Sequence, residues 1–387
     1  MNISTDIATV SSLRTWHAAL AGRHYSPAVI AAIGTTATEG VGVTAYGRDY
    51  LGQLATALRT RFPVSPEIAG EAYIELRRRH GQPAVGGGAA TVGGNFVSAW
   101  SEMGDWGSYP WPAVRSGGTA NGTTGWGLRA VQFSAAGQTL TYSFVGSSVH
   151  VWYGILAGGG TFSVTIDGVV VAASVTTDST VTGGNARWMS PVLPPGQHQV
   201  VITCLAPGSA GTYVHGFATF HGDEGRGIQV YNGGHSGRVT ADFTTQSTGW
   251  APRLATIQPH LVIIELGFQD WRMNVAVATM KANLKTIIAT VRANTTTSPS
   301  FVIIGSPKLT NLALTQDFAL FTTAWREIVA EDTAGIGGSG VAYFDLAARQ
   351  TAPATNNSLG LYGSDQLSPT DKGAAHIADA LTAFLAP

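Results

Sequence analysis

Residues 29–40 read VIAAIGTTATEG: an unbroken apolar run, a glycine, then a polar turn that ends in a second glycine. A short β-branched run closed by glycine predicts a buried parallel strand feeding a tight turn. The segment SLRTWHAALAGR before it is an amphipathic lead-in. In RDYLGQLATALRTRF after it, Tyr50, Leu51, Leu54, Leu58 and Phe62 follow helical spacing. Residues 11–80 therefore read as a strand–helix unit.

From about 86 to 221 the period changes. GGGAATVGG acts as a flexible joint. Short β-type runs separated by glycine turns follow it, among them QTLTYSFVG, SSVHVWYGIL, GTFSVTIDGVVVAASV, GQHQVVITCLA and GTYVHGFATF. The IDG at 166–168, with apolar alternation on both sides, predicts a hairpin turn. Strands at this spacing without a helical segment predict an antiparallel sandwich or jelly roll.

From about 222 strands and helices alternate again. GIQVYNGG, HLVIIELG, SFVIIGSP and GVAYFDL are buried-strand candidates, separated by helical stretches such as VAVATMKANLKTIIATVRAN and DFALFTTAWREIVAED. SPTDKGAAHIADALTAFLAP closes the chain as a helix. This alternation predicts a parallel sheet covered on both faces. The expected organisation is one α/β domain in two parts, 1–85 and 222–387, with a β-sandwich inserted at 86–221.

Composition narrows the function classes. Charged residues make up 12% of the 387 positions, about half the usual share. The net charge of −1 offers no field to attract nucleic acid or an anionic membrane. Cys204 is the only cysteine, so neither a disulfide framework nor a thiolate metal cluster is expected. The histidines are scattered and phosphate-binding glycine motifs are absent, so no metal or other cofactor is expected. No apolar run is long enough to span a bilayer. The amino terminus lacks the pattern of a secretory signal, and a product made without a leader is expected.

Turns at the carboxyl ends of parallel strands are where α/β enzymes place reacting groups. Four such segments hold a recurring set of residues: Gly34-Thr35-Thr36-Ala37-Thr38-Glu39-Gly40; NGGHSG, with Asn232, Gly234, Ser236 and Gly237; Gly267-Phe268-Gln269-Asp270; and Asp365-Gln366-Leu367-Ser368-Pro369. In order and context they resemble the four blocks of the SGNH, or GDSL-type, hydrolases, flavodoxin-like α/β esterases and acylhydrolases. The resemblance spans residues 11–85 and 222–387. It implies a three-layer sandwich around a parallel sheet, with Thr36 at the nucleophile position, Gly234 and Gln269 at the oxyanion hole, Asp365 as orienting carboxylate and Ser368 at the base position. It further implies that these residues cluster at one sheet edge, with Ser368 facing Thr36. The sandwich insert and phrases such as VYNGGHSG and ADALTAFLAP are similar to SGNH-like minor tail proteins of actinobacterial phages.

The departures from the blocks bear on chemistry. Such an esterase needs a hydroxyl nucleophile, an imidazole to take its proton, a carboxylate to orient the imidazole and donors for the oxyanion. Thr36 keeps the hydroxyl but adds a methyl that restricts χ1. Gln269 keeps the amide of the family's asparagine, one methylene further out. Ser368 is the decisive change, because a hydroxyl cannot act as a base near neutral pH. His235, beside Gly234, is a candidate substitute base, with a loop histidine bonded to nearby backbone as the other reading. His376 lies two turns into the closing helix and is expected to point away. Asp270 reads as a turn or cap residue.

The expectation is a degenerate site on a phage tail protein. It would sit in the virion, in several copies with other tail proteins, and recognise cell-envelope glycan of the host. The alternative is an active esterase or deacetylase on acylated envelope carbohydrate with a non-standard nucleophile and base. Trp106, Trp111, Trp126, Trp152 and Tyr153 are candidate sugar-stacking residues; filling of the sandwich core is the other reading of these aromatics.

Overall fold

The computed structural model describes residues 6–8, 11–44, 47–64, 72–75, 113–180, 184–220, 222–309, 314–332, 340–350 and 353–386. It divides into two compact units. The first comprises Met1–Val64, Gly225–Ser247 and Leu254–Pro387; the second comprises Ser65–Glu224 and Thr248–Arg253. The return to the first unit lies three residues beyond the position read from the sequence. The departure from it falls at Val64 rather than near 85, because the last described helix before it ends at Arg61.

In chain order the first unit opens with β1 (Ala28–Gly34). The second unit contributes β2 (Ala72–Glu75), β3 (Ala113–Ser116), β4 (Thr119–Asn121), β5 (Ala130–Phe133), β6 (Thr139–Gly146) and β7 (Ser148–Ile155). It continues with β8 (Gly159–Ile166), β9 (Val169–Thr176), β10 (Gly184–Met189), β11 (Gly196–Gly208) and β12 (Thr212–Phe220). The first unit resumes with β13 (Ile228–Gly234), β14 (Leu261–Glu265), β15 (Ser300–Gly305) and β16 (Val341–Asp345).

Within the first unit the strands run parallel in the order β13-β1-β14-β15-β16. Every residue of all five is buried, as expected of strands covered on both faces. Helices at Arg14–Gly22, Tyr50–Arg61, Val277–Ala293, Phe318–Glu331 and Asp371–Leu385 bury one apolar stripe each, for example Met280, Leu284, Ile287, Ile288 and Val291. Three of them start at a side-chain cap: Asp49 accepts from the Gly52 amide, Asp317 from Ala319 and Thr370 from Gly373. Counting the unit's strands from its amino end, the order is 2-1-3-4-5, the flavodoxin-like arrangement. Its crevice opens where β1 meets β14, at the carboxyl ends of the strands. The register there sets Gly34 beside both Gly234 and Glu265.

The second unit is an antiparallel two-sheet sandwich. One sheet runs β3-β6-β11-β8-β9; the other contains β10-β7-β12, with β2 and β5 also on β12 and β4 on β5. Inward residues of both sheets form one core, including Phe133, Tyr142, Phe162, Ile202, Val214 and Phe217. The IDG turn is a hairpin as read: Ile166 pairs with Val169, and Asp167 and Gly168 both have positive φ, +50° and +82°.

Burial within this unit accounts for three of the candidate stacking residues, Tyr153 as part of this core. Trp126 and Trp152 are each 1% exposed, and Tyr153 is buried against Phe162 at 5.2 Å between ring centroids. Trp126 meets Trp250 edge-on at 5.8 Å. Sequence reasoning offered these three as sugar-stacking faces; a ring enclosed by protein cannot stack on a sugar, and they fill the unit instead. Trp106 and Trp111 lie outside the described residues.

At the hairpin, both ring nitrogens of His198 meet acceptors: Asp167 Oδ2 at 2.6 Å and the Pro194 carbonyl at 2.8 Å. The Asp167 hydrogen bond holds the imidazole above its ordinary pKa of 6.5, so the imidazolium suits this place best. A raised histidine stabilises the fold fully below the unfolded value and loses that contribution as pH rises through the folded one. Thermal melts of the protein and of His198→Asn should therefore differ most near pH 6, with the gap closing toward pH 8. A gap that is constant across this range would show that the pair contributes through shape alone.

Candidate functional site

At the crevice, β1 ends in Gly34 and the chain turns through a single helical turn, Thr36–Glu39. The Glu265 carboxylate at the end of β14 holds this turn. It accepts the Thr35 amide at 2.8 Å, the Thr38 amide at 3.4 Å, the Thr38 hydroxyl at 3.0 Å and the Thr35 hydroxyl at 3.2 and 3.3 Å. The Thr38 hydroxyl also meets Tyr50 Oη at 3.0 Å. Burial pushes the Glu265 carboxyl above its usual pKa, against the pull of the Thr35 and Thr38 hydrogen bonds. Glycine is required at 34, because a Cβ there would lie 2.0 Å from Thr38 Oγ1 and 2.9 Å from Glu265 Oε2.

The second block locks onto the same turn. Asn232 Nδ2 donates to the Thr38 carbonyl at 2.8 Å, and Asn232 Oδ1 accepts the Gly234 amide at 2.9 Å. The Ser236 amide donates to the buried Glu39 carboxylate, and the Ser236 and Thr36 hydroxyls lie 3.0 Å apart. Gly234 thus departs from the oxyanion role inferred for it. Its N–H is already engaged by Asn232, and its Cα packs on the turn so closely that a Cβ would sit 2.2 Å from the Glu39 amide nitrogen. Gly237, exposed at φ +81° beside Ser236, has open space above its Cα. It is the last glycine of NGGHSG, and it does not line the cleft described below.

In the third block Gln269 is 8% exposed and lines the cleft at the crevice. Arg272 Nη1 donates to Gln269 Oε1 at 3.2 Å. A guanidinium only donates, so the atom it meets is the carbonyl oxygen, which leaves the Gln269 amide nitrogen as the donor on the other side. Asp270 is a cap, as read: its buried carboxylate accepts the Thr240 amide and hydroxyl at the start of the helix Thr240–Thr245. Burial raises its pKa.

In the fourth block Asp365 Oδ1 accepts the Leu367 and Ser368 amides at 2.9 Å, and its other oxygen takes the Ser368 hydroxyl in a short hydrogen bond. Ser368 is 1% exposed, and a Cβ on Gly42 would come within 2.7 Å of its own Cβ. Leu367 and Pro369 line the cleft with Thr36 and Gln269, while Ser368 between them is turned to Asp365. His235 is fully buried; its amide donates to the Gly34 carbonyl at 2.9 Å and its Nε2 faces Arg238 Nε at 3.4 Å. It is the backbone-tied loop histidine that was the other reading of this residue.

The cleft holds about 500 Å³ of space, counting the part open to solvent. Its wall is apolar through Phe268, Ile304, Leu309, Leu346, Leu367 and Ile377. Its polar groups include the Thr36 and Ser306 hydroxyls, Gln269, Arg272 and Glu265. No histidine is among the described residues that line it. The arrangement can hold a ligand by donated hydrogen bonds and apolar contact. It offers no imidazole to take a proton from Thr36.

The family model described as "GDSL-like Lipase/Acylhydrolase family" matches residues 178–376, more than half of the 387. Among solved structures, a peptidoglycan O-acetylesterase is similar at a TM-score of 0.65 and 14% identity, over 98% of this chain and 97% of that one. A family two carbohydrate esterase from Clostridium thermocellum in complex with cellohexaose is similar at a TM-score of 0.33 and 16% identity, over 66% of this chain and 93% of that one. The psychrotrophic esterase EstA from Pseudoalteromonas sp. is similar at a TM-score of 0.32 and 20% identity, over 40% of this chain and 75% of that one. A search of curated protein sequences found no match.

The packing of Gly234 makes it a structural residue. Gly234→Ala should destabilise the protein by about 1–3 kcal/mol, the usual cost of forcing an atom into a packed site, read as a lowered Tm. The Glu265 carboxyl gives a second test. Because its folded pKa is raised, its contribution is largest below the ordinary value of 4.5 and falls as pH rises through the folded value. The Tm of the protein minus that of Glu265→Gln should fall between pH 4 and pH 8; a rising difference would contradict the assignment.

Proposed function

The chain belongs to the GDSL-like lipase/acylhydrolase family, and from that premise we propose that it is an acylhydrolase fold without its hydrolytic chemistry, used for recognition. The observation that carries this reading is the fourth block. Where an imidazole would sit between carboxylate and nucleophile, Ser368 is buried and hydrogen-bonded to Asp365. In triad enzymes the loss of nucleophile or histidine alone costs roughly a millionfold in kcat. Here the base is replaced, the nucleophile carries an extra methyl and the Gly234 amide is engaged within the turn.

The partner in this proposal is glycan of a bacterial cell envelope, and the setting is a phage tail. The low charge of the chain favours a neutral ligand over a polyanion. The setting rests on the resemblance of VYNGGHSG and ADALTAFLAP to SGNH-like phage tail proteins. Weak contacts to single sugars would be compensated by several copies on one particle.

Two measurements on the full chain test the reading. With p-nitrophenyl acetate and with O-acetylated peptidoglycan, product release should match the buffer blank. In sedimentation with purified envelope sacculi the protein should co-pellet. Turnover by the unmodified protein that Thr36→Val abolishes would show the site to be an active esterase instead. Absence from the pellet would remove the glycan assignment.

A further inference from the structure

Among the described residues, one charge of the cleft has no counter-ion. Arg272 is half-buried, its hydrogen bond goes to the neutral Gln269, and its Nε is buried without an acceptor among the described residues. It forms no ion pair with a described residue. The nearest carboxylate on the cleft wall, Glu265, has its oxygens occupied by the Thr35 and Thr38 donors. Burial favours the protonated form of that carboxyl, which lowers its opposition to a second anion.

The neighbours of Arg272 also present donors. The Gln269 amide nitrogen is the free end of a side chain more than nine-tenths buried, and the Ser306 hydroxyl has no partner among the described residues. The paired Arg272 guanidinium and Gln269 amide, with the Ser306 hydroxyl also lining the cleft, match the acceptor-only oxygens of a carboxylate. The cleft also has an apolar surface, given by Phe268, Ile304, Leu309, Leu346, Leu367 and Ile377. A partly desolvated cation without a counter-ion is costly, and an incoming carboxylate would offset that cost.

We propose that this cleft binds a monocarboxylate whose organic part is apolar, with the carboxylate on Arg272 and the Gln269 amide and the carbon chain on the apolar wall. Arg272 is the specificity-determining residue of this site. The binding needs no turnover and extends the recognition reading to a ligand of different chemistry from the glycan.

Titration calorimetry of the full chain with sodium octanoate, 1-octanol, sodium acetate and sodium glucuronate tests it. Octanoate should bind. Arg272→Gln should weaken it by about tenfold or more, the loss of a hydrogen bond to a charged group, and leave 1-octanol unchanged. Leu309→Trp keeps the cation and narrows the apolar wall, so it should weaken octanoate more than acetate; circular dichroism checks that both variants fold. Octanoate that fails to bind, or that binds Arg272→Gln as tightly as the parent, overturns the proposal. Glucuronate binding as tightly as octanoate overturns the apolar part and assigns the site to acidic sugars. None of these outcomes alters the ester-turnover result, so the hydrolase reading stands or falls separately.

Discussion

Glu265 carries one carboxylate into a place where four donors converge, two from backbone amides and two from threonine hydroxyls. Its strand, β14, pairs with β1 so that Gly34 lies in register with it. The carboxylate therefore closes the turn leaving β1 at the moment the strand ends. Two backbone N–H groups that a strand-to-helix turn would leave orphaned are satisfied together. Desolvation opposes this arrangement and the hydrogen bonds favour it. That balance fixes where Thr36 stands, and with it the cleft, since Thr36, Gln269 and the apolar wall are placed relative to the end of this turn.

Around this anchor the polar groups that a hydrolase would aim at a substrate are turned on one another. Thr36 meets Ser236, Ser368 meets Asp365, the Gly234 amide meets Asn232, and Asp270 caps a helix. The bonds at Ser368, the Gly234 amide and Asp270 each satisfy a buried group that would otherwise cost free energy. An architecture can therefore persist when its chemistry changes, because the hydrogen bonds that stabilise the loops do not depend on reactivity.

The fold was legible because period is physical. Runs such as LVIIE and SFVIIG, short, β-branched and closed by a nearby glycine, read as strands buried on both faces, and alternation such as that of Thr139–Gly146 marks strands with one face inward. IDG was readable because few turns accept positive φ at two successive residues. Burial of the aromatics was not legible: stacking on a sugar and filling a core call for the same residue types, and only the packing of Trp126, Trp152 and Tyr153 separates them. Arg272 also escaped notice. The role proposed for it rests on the lack of a counter-charge among the described residues, which no local sequence pattern records. For Gly234 a motif gives the residue and not the partner of its amide, which in the structure is Asn232 Oδ1.

These glycines show how much of a motif belongs to the fold. At 34 and at 234 a Cβ would meet other atoms at 2.0 and 2.2 Å, so the backbone spacing of β1, β13 and their turns admits no other residue without movement. The positions that supply chemistry have no such constraint. A threonine occupies 36 and a serine occupies 368 with their hydrogen bonds complete. The glycines of the four segments report the fold, and the hydroxyl, amide and imidazole positions report the chemistry. In this chain the glycines keep the crevice closely packed, while the groups that line it include the Arg272 cation, the Glu265 carboxyl, hydrogen-bond donors and an apolar wall.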